Sequence, residues 1–268
     1  MVEVNNKIGQ GAIVATNKPQ IEAGNIVEEK PTYLTIDGTH IYNKVVAPVL
    51  PEELKTLTAG SAVEFHLARH FRALPESYKE SLIGKEYKQY DPKDKIEKVI
   101  TITADSFESA LKVKGSKFDV NVPGLETPKK FIDFIQREAV KKAQMGELIW
   151  VDGGFCKKTY FTIELPQIIG RDQVVALEGL TSKQSASIEK QTRGKLLGDD
   201  FLVNYVKDHE GEPTNKIAVC IGHIKGEQAP EIFSAFPGKL APEFPRDAQL
   251  EEQRNYNKKF WEEHAFIG

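Results

Sequence analysis

The 268-residue chain is poor in cysteine, methionine and tryptophan, with two of each. Cys156 and Cys220 are widely separated, form no C-x-x-C pair and have no clustered histidines beside them. They read as structural thiols of a chain made in a reducing compartment. Cys156, behind Gly153-Gly154 in an expected turn, is the better placed of the two for a reactive role. Also missing is any run of 18 apolar residues, so no membrane helix is expected. The stretch GAIVAT at 11–16 is too short for a signal h-region and has no basic flank. Synthesis in the cytoplasm is therefore expected; export by a dedicated secretion system needs no leader and stays open. Nor is there an excess of charge. Thirty-six basic residues stand against 39 acidic ones, net −3, which excludes a polycation coating duplex DNA but not a local basic patch. Gly at 20 and Pro at 14 are ordinary and exclude collagen-like or low-complexity chains. No G-x-x-x-x-G-K-[ST] occurs. Gly9-Gln10-Gly11 has neither a third glycine nor a preceding strand, and Gly153-Gly154 is a bare pair, so nucleotide binding of either common kind is disfavoured and no cofactor is expected.

What is present organises into an α+β pattern: a helix-rich first part, then a mainly antiparallel, curved sheet with a docked C-terminal segment. Residues 1–30 read as an extended or disordered arm, 31–126 as a mixed N-terminal subdomain, and 127–268 as an α+β domain. Tyr33-Leu34-Thr35-Ile36, Asp37-Gly38 and His40-Ile41-Tyr42 spell a hairpin. Residues 61–74 take helical spacing, with Val63, Leu67, Phe71 and Leu74 on one side, Arg69 and Arg72 on the other, and Leu74-Pro75 as the end. Residues 99–103 read as a strand. Thr127 as N-cap, Pro128 at the first helical position and Gly146 after the last turn frame the clearest helix, with Phe131, Ile132, Ile135 and Ala139 as its stripe. Short β-branched or aromatic runs follow at 148–151, 159–165, 173–177, 201–206, 216–223 and 231–236. Residues 247–260 look helical, and the terminal FWEEHAFI is too apolar to hang loose.

His66 and His70 stand one helical turn apart, a spacing compatible with two metal ligands. Leu67 occupies the position where a zincin carries Glu, and no convincing third ligand is in view. Two half-buried histidines beside the core are the plainer reading, and a neutral pair flanking a substrate site is the other. Asp199-Asp200 and Asp208-His209-Glu210 lack calcium-loop spacing and read as solvated loops.

The more promising constellation lies in the sheet region. Metal-independent cleavage of RNA needs an imidazole to take the 2′-OH proton, an acid for the leaving oxygen, and cations or hydroxyls on the phosphate. His223 and His264 supply base and acid, Ser234 a hydroxyl, and Lys158 or Arg171 the positive charge, with Phe236 and Trp261 as substrate-facing aromatics. The order of elements, with KTYFTIELPQIIGRDQVV, NKIAVCIGHI, PEIFSAFPG and FWEEHAFI, resembles the toxin-type ribonucleases of the barnase, EndoU, colicin and RelE-like group over residues 128–268. That resemblance implies a helical portion leading into a curved sheet whose face carries catalysis, and it maps onto His223, Ser234, Arg171 and His264. The net acidity and the long N-terminal half depart from a minimal nuclease; that half would be a delivery or regulatory part. RNA or a protein is the expected partner. Against this stands a non-catalytic interaction protein whose surface presents Phe236, Phe244, Trp261 and Phe266 to a partner. A metal hydrolase on His66 and His70 is the third reading.

Overall fold

The computed structural model describes residues 33–36, 39–42, 45–91, 96–112, 116–119, 124–152, 156–192, 202–224, 226–227, 229–242, 244–245 and 251–267. The expected arm at 1–30, the Asp37-Gly38 turn, the Gly9 and Gly153 loops and Asp199-Asp200 lie outside them. The fold is α+β with mostly antiparallel sheets.

In chain order, β1 (Tyr33–Ile36) and β2 (Thr39–Tyr42) form the expected hairpin. They are followed by β3 (Val45–Pro48), α1 (Pro51–Leu54), α2 (Ser61–Ala68) and α3 (Glu76–Leu82). A second hairpin, β4 (Glu86–Asp91) with β5 (Ile96–Thr101), leads to α4 (Ala104–Lys112), β6 (Lys117–Phe118) and α5 (Pro128–Gln144). The second half runs through β7 (Ile149–Asp152), β8 (Cys156–Glu164), β9 (Gly170–Asp172), β10 (Val174–Ala176), α6 (Ser182–Ala186), β11 (Ile188–Thr192) and β12 (Leu202–Val206). It ends with β13 (Glu212–Thr214), β14 (Lys216–Ile224), β15 (Glu231–Pro237), α7 (Glu251–Glu263) and β16 (His264–Ile267).

Helix α5 forms for local reasons. The Thr127 hydroxyl accepts the Lys130 amide at 3.3 Å, Pro128 occupies the first turn, and Gly146 takes φ +71° after the end. Its buried stripe of Phe131, Ile135 and Ala139 packs on α1 and on the five-stranded sheet β15-β14-β8-β7-β3. That sheet turns Phe161, Ile163, Ile217, Val219 and Ile221 inward, at every second residue as a pleat requires. The resulting core draws residues from Val49 to Ala235. Phe118 sits between Phe71 and Phe131 at ring distances of 5.4 and 4.7 Å.

One helix boundary differs from expectation. α2 stops at Ala68, not near Leu74, because the chain is captured by β6. Phe118 donates its amide to the His70 carbonyl at 2.6 Å, and Phe71 bridges to Phe118 while fully buried.

The four-stranded sheet β10-β16-β12-β11 builds a second packing centre. β16 enters its middle, antiparallel to β10 and parallel to β12. Trp261 and Phe266 stack at 4.8 Å beneath Phe244 and Tyr205, so the C-terminal segment docks as its composition predicts. No described helix is long and apolar enough to cross a membrane.

Candidate functional site

Two places concentrate chemistry. The first is a cleft of about 470 Å³ where the inward face of the five-stranded sheet runs out, lined by Val46 of β3, Asp152 of β7, Lys157 of β8, and His223, Ile224, Gly226 and Glu227 around the end of β14. Ladder pairing puts Asp152, Lys157 and His223 side by side on adjacent strands. The His223 Nε2–H donates to the Glu227 carbonyl at 3.0 Å, which leaves Nδ1 shielded and without a partner. Behind Lys157 stands fully buried Trp150, with the ammonium 5.2 Å from the indole centroid. Glu53 of α1 closes the back wall. Its Oε2 accepts the Trp150 indole at 3.1 Å and the Leu50 amide at 2.9 Å, and Oε1 lies 3.7 Å from Lys157. Partial burial opposes ionisation, but those two donors, with the Lys157 ammonium and the His223 ring nearby, outweigh it and hold the carboxyl below its ordinary range.

The second is a basic ledge at the end of α2. Arg69 and Arg72 follow the helix, and Lys117 of β6 reaches up to donate to the Leu111 carbonyl at 3.3 Å and to the Arg69 carbonyl, tying the ends of α4 and α2 together. Arg171 sits directly across the β6–β9 ladder from Lys117, on the same face, and donates to the Gly211 carbonyl at 3.2 Å. Asp119 pairs with Arg72 at 3.2 Å. Burial, then Arg69 and Arg72, push the Lys117 ammonium down to about 8. The neighbouring carboxylate of Asp172 turns the other way and is buried. It accepts the Val174 and Lys239 amides, each at 3.0 Å, while burial raises its pKa.

His66 and His70 flank this ledge, their rings 5.4 Å apart. Burial, with Arg69 adding to it, holds His66 near 4; burial likewise holds His70 near 3, so both are neutral at physiological pH. The His70 Nδ1–H donates to the Ser116 carbonyl at 3.0 Å, Nε2 is enclosed without a partner, and Phe236 lies 6.0 Å away. Among the described residues no group of three or more His, Cys, Asp or Glu side chains is arranged to hold a metal. His70 is buried and His66 partly buried beside the core.

The four residues mapped from the ribonuclease resemblance are dispersed. His223 and Ser234 belong to the five-stranded sheet, Arg171 to the three-stranded sheet β13-β9-β6, and His264 to the four-stranded one. Moreover, Ser234 pairs with Cys220, and Cys220 and His223 are of opposite parity on β14. Ser234 and His223 therefore project from opposite faces. Lys158 shares the Ser234 face, since it pairs with Gly222; the lysine beside His223 is Lys157. The His264 ring stacks flat on Phe260 at 4.0 Å, with Nδ1–H donating to the Phe260 carbonyl at 2.8 Å. No hydrogen bond, ion pair or ring contact joins any two of His223, Ser234, Arg171 and His264.

Of the four aromatics expected at a partner-facing surface, Trp261 and Phe266 are buried, and Phe236 and Phe244 are partly exposed. Trp261 is 2% exposed with its indole N–H donating to the Pro242 carbonyl, and the Phe244 ring lies tilted against it at 5.1 Å. Glu53, Trp150, Lys157 and Lys117 carry no motif that would single them out in the sequence. For Lys157 the available signal is the period-2 pattern of β8, which separates it from Lys158. Arg69 and Arg72 show as the polar side of a helix, without the strand that completes the ledge. No protein-family model matches the chain, and a comparison with curated proteins finds no match either.

Proposed function

We propose that this chain is an RNA-binding protein that holds phosphates of a single strand on the Arg69–Arg72–Lys117–Arg171 ledge. The observation that carries the reading is the gathering of like charges on a chain whose net charge is −3. Burial does most to push Lys117 down to about 8, and Arg69 and Arg72 add like-charge repulsion that an anionic ligand relieves. Guanidinium forks suit phosphate oxygens. The dispersal of the mapped acid–base residues favours binding over catalysis at a shared centre.

Fluorescence anisotropy with a labelled 12-nucleotide single-stranded RNA in EDTA tests it. With four phosphate contacts, affinity falls about 50-fold between 50 and 200 mM salt, from a slope of roughly −0.7 per contact. The Arg69→Glu/Arg72→Glu protein loses binding at 50 mM salt. Absence of binding by the wild type, or unchanged binding by the variant, overturns the proposal.

A second reading, RNA cleavage without a metal, is favoured by one observation. His264 is anchored through Nδ1 to a backbone carbonyl, which fixes the tautomer and leaves Nε2 as the proton acceptor. It predicts cleavage of the same RNA in EDTA and its loss in His264→Ala; intact RNA after prolonged incubation removes it.

A further inference from the structure

Lys117 differs from many lysines of this chain in what its amine meets. Lys55, Lys79, Lys142 and Lys207 each face a carboxylate, at 2.7, 2.7, 2.8 and 2.5 Å, and a carboxylate favours the charged form. Lys117 instead gives its N–H groups to two backbone carbonyls, that of Arg69 and, at 3.3 Å, that of Leu111. Around it stand Arg69, Arg72 and His70 at the end of α2, with Arg171 across the ladder on β9. The nearby carboxylate of Asp119 is paired with Arg72 at 3.2 Å, and on α4 Glu108 is paired with Lys112 at 3.6 Å. Burial first, then Arg69 and Arg72, hold Lys117 at about 8, so about a quarter of it is free amine at pH 7.5. The nitrogen is tetrahedral. With two N–H bonds on the carbonyls, the lone pair of the free amine takes a fixed remaining direction, and the residue is partly exposed. The carbonyls therefore hold a positioned nucleophile, where a carboxylate would hold a cation.

We infer that Lys117 is a site of acylation by acyl phosphates, whose phosphate end the ledge holds while the amine attacks the acyl carbonyl. The C–N bond forms, the C–O bond of the mixed anhydride breaks, inorganic phosphate leaves, and the surplus proton of the amine goes to solvent. The docking of the phosphate rests on the ledge of the RNA reading. The product is an uncharged amide with a single N–H, so it cannot hold both carbonyls, and the ledge loses a cation. Acylation thus turns RNA binding down.

The test incubates the full chain with acetyl phosphate and follows each acetylated peptide by mass spectrometry. The comparison reagent is p-nitrophenyl acetate, an acyl donor without a phosphate. Acetyl phosphate at pH 7.5 modifies Lys117 at least tenfold faster than Lys55. Excess inorganic phosphate removes that advantage, and the Lys117 rate levels off above about pH 8. Lys117→Gln, the uncharged stand-in, binds the 12-nucleotide RNA about eightfold more weakly at 50 mM salt, the share of one phosphate contact. Equal rates at Lys117 and Lys55, or a Lys117 rate still climbing between pH 9 and 10, overturns the inference and leaves the ledge reading standing. Preference for Lys117 with p-nitrophenyl acetate alone overturns both, because the amine is then reactive without a phosphate site. Fast, phosphate-sensitive acetylation in a protein that binds no RNA upholds the inference and removes the RNA reading alone.

Discussion

Glu53 and Trp150, 97 residues apart in the chain, meet through a 3.1 Å hydrogen bond in which the indole Nε1–H donates to Oε2 of the carboxylate. The contact joins a four-residue helix to the second half of the sheet, and it fixes the wall on which Lys157 rests.

Removing that carboxylate leaves a buried indole N–H without its acceptor and Lys157 without its counter-charge. Glu53→Ala is expected to lower stability by about 1–3 kcal/mol. Glu53→Gln, which retains an oxygen for the indole, costs less. The measurement is the urea midpoint at constant m-value; an unshifted midpoint in Glu53→Ala refutes the role assigned to this contact.

Acid should destabilise the fold through His66 and His70. Both have folded pKa values, near 4 and near 3, below the ordinary 6.5. The unfolded chain therefore takes up protons first as pH falls. Their contribution is complete above about pH 6.5 and is lost progressively between 6.5 and the folded values. At pH 5 the pair accounts for about 2–4 kcal/mol of lost stability, at 1.36 kcal/mol per unit for each group. Urea midpoints at pH 7.5 and 5.0, for the wild type and His66→Gln/His70→Gln, read this directly. An equally steep loss in the double variant would count against it.

Gly170 is required by close approach of backbones. A Cβ added there falls on the Lys117 carbonyl oxygen and close to the Phe118 Cα, so β6 must move away from β9. Gly170→Ala is expected to cost about 1–3 kcal/mol through overpacking and to weaken RNA binding by separating Lys117 from Arg171. Gly179→Ala, where nothing lies within 4 Å, serves as the comparison. Thermal unfolding and anisotropy on the two variants check both effects; equal behaviour of the pair contradicts this packing.

Neither thiol should react in the folded protein. Cys156 is completely buried, and burial pushes the Cys220 thiol up to about 12, so almost no thiolate is present. Ellman's reagent is expected to find no fast-reacting thiol under native conditions and two after unfolding. Rapid labelling of either without denaturant would restore a reactive cysteine.

Much of the fold is legible in the sequence because its determinants are local. The β1–β2 strands, the capped helix α5 and the β14–β15 hairpin each carry their signal within about 20 residues: a turn, a cap or an alternating run. The helical pattern of 61–74 overshoots the helix itself because its last turn competes with a partner 46 positions on, where the Ser116 carbonyl takes the His70 ring. The docking of FWEEHAFI follows from its apolarity. Its place between β10 and β12 does not, since a strand's neighbours are set by what else needs covering.

The candidate site is legible only in part. His223 stands out in the sequence and does line the cleft, but the lysine that accompanies it is Lys157 and not Lys158. In a strand one residue is the difference between faces. Ser234 fails for the same reason, and His264 because chain order says nothing about which sheet a terminal strand joins.

The scarcities of this sequence, few thiols, no long apolar run and no surplus of charge, by themselves exclude a disulfide framework, a membrane-spanning helix and a polycationic coat. Tertiary structure alone decides which residues meet. It places Lys117 against Arg69, 48 positions away, to make a basic ledge, and closes Glu53 over Trp150 to back the cleft at His223. Both depend on which faces meet across sheets and helix ends, and net charge, an average over all surfaces, carries no record of that.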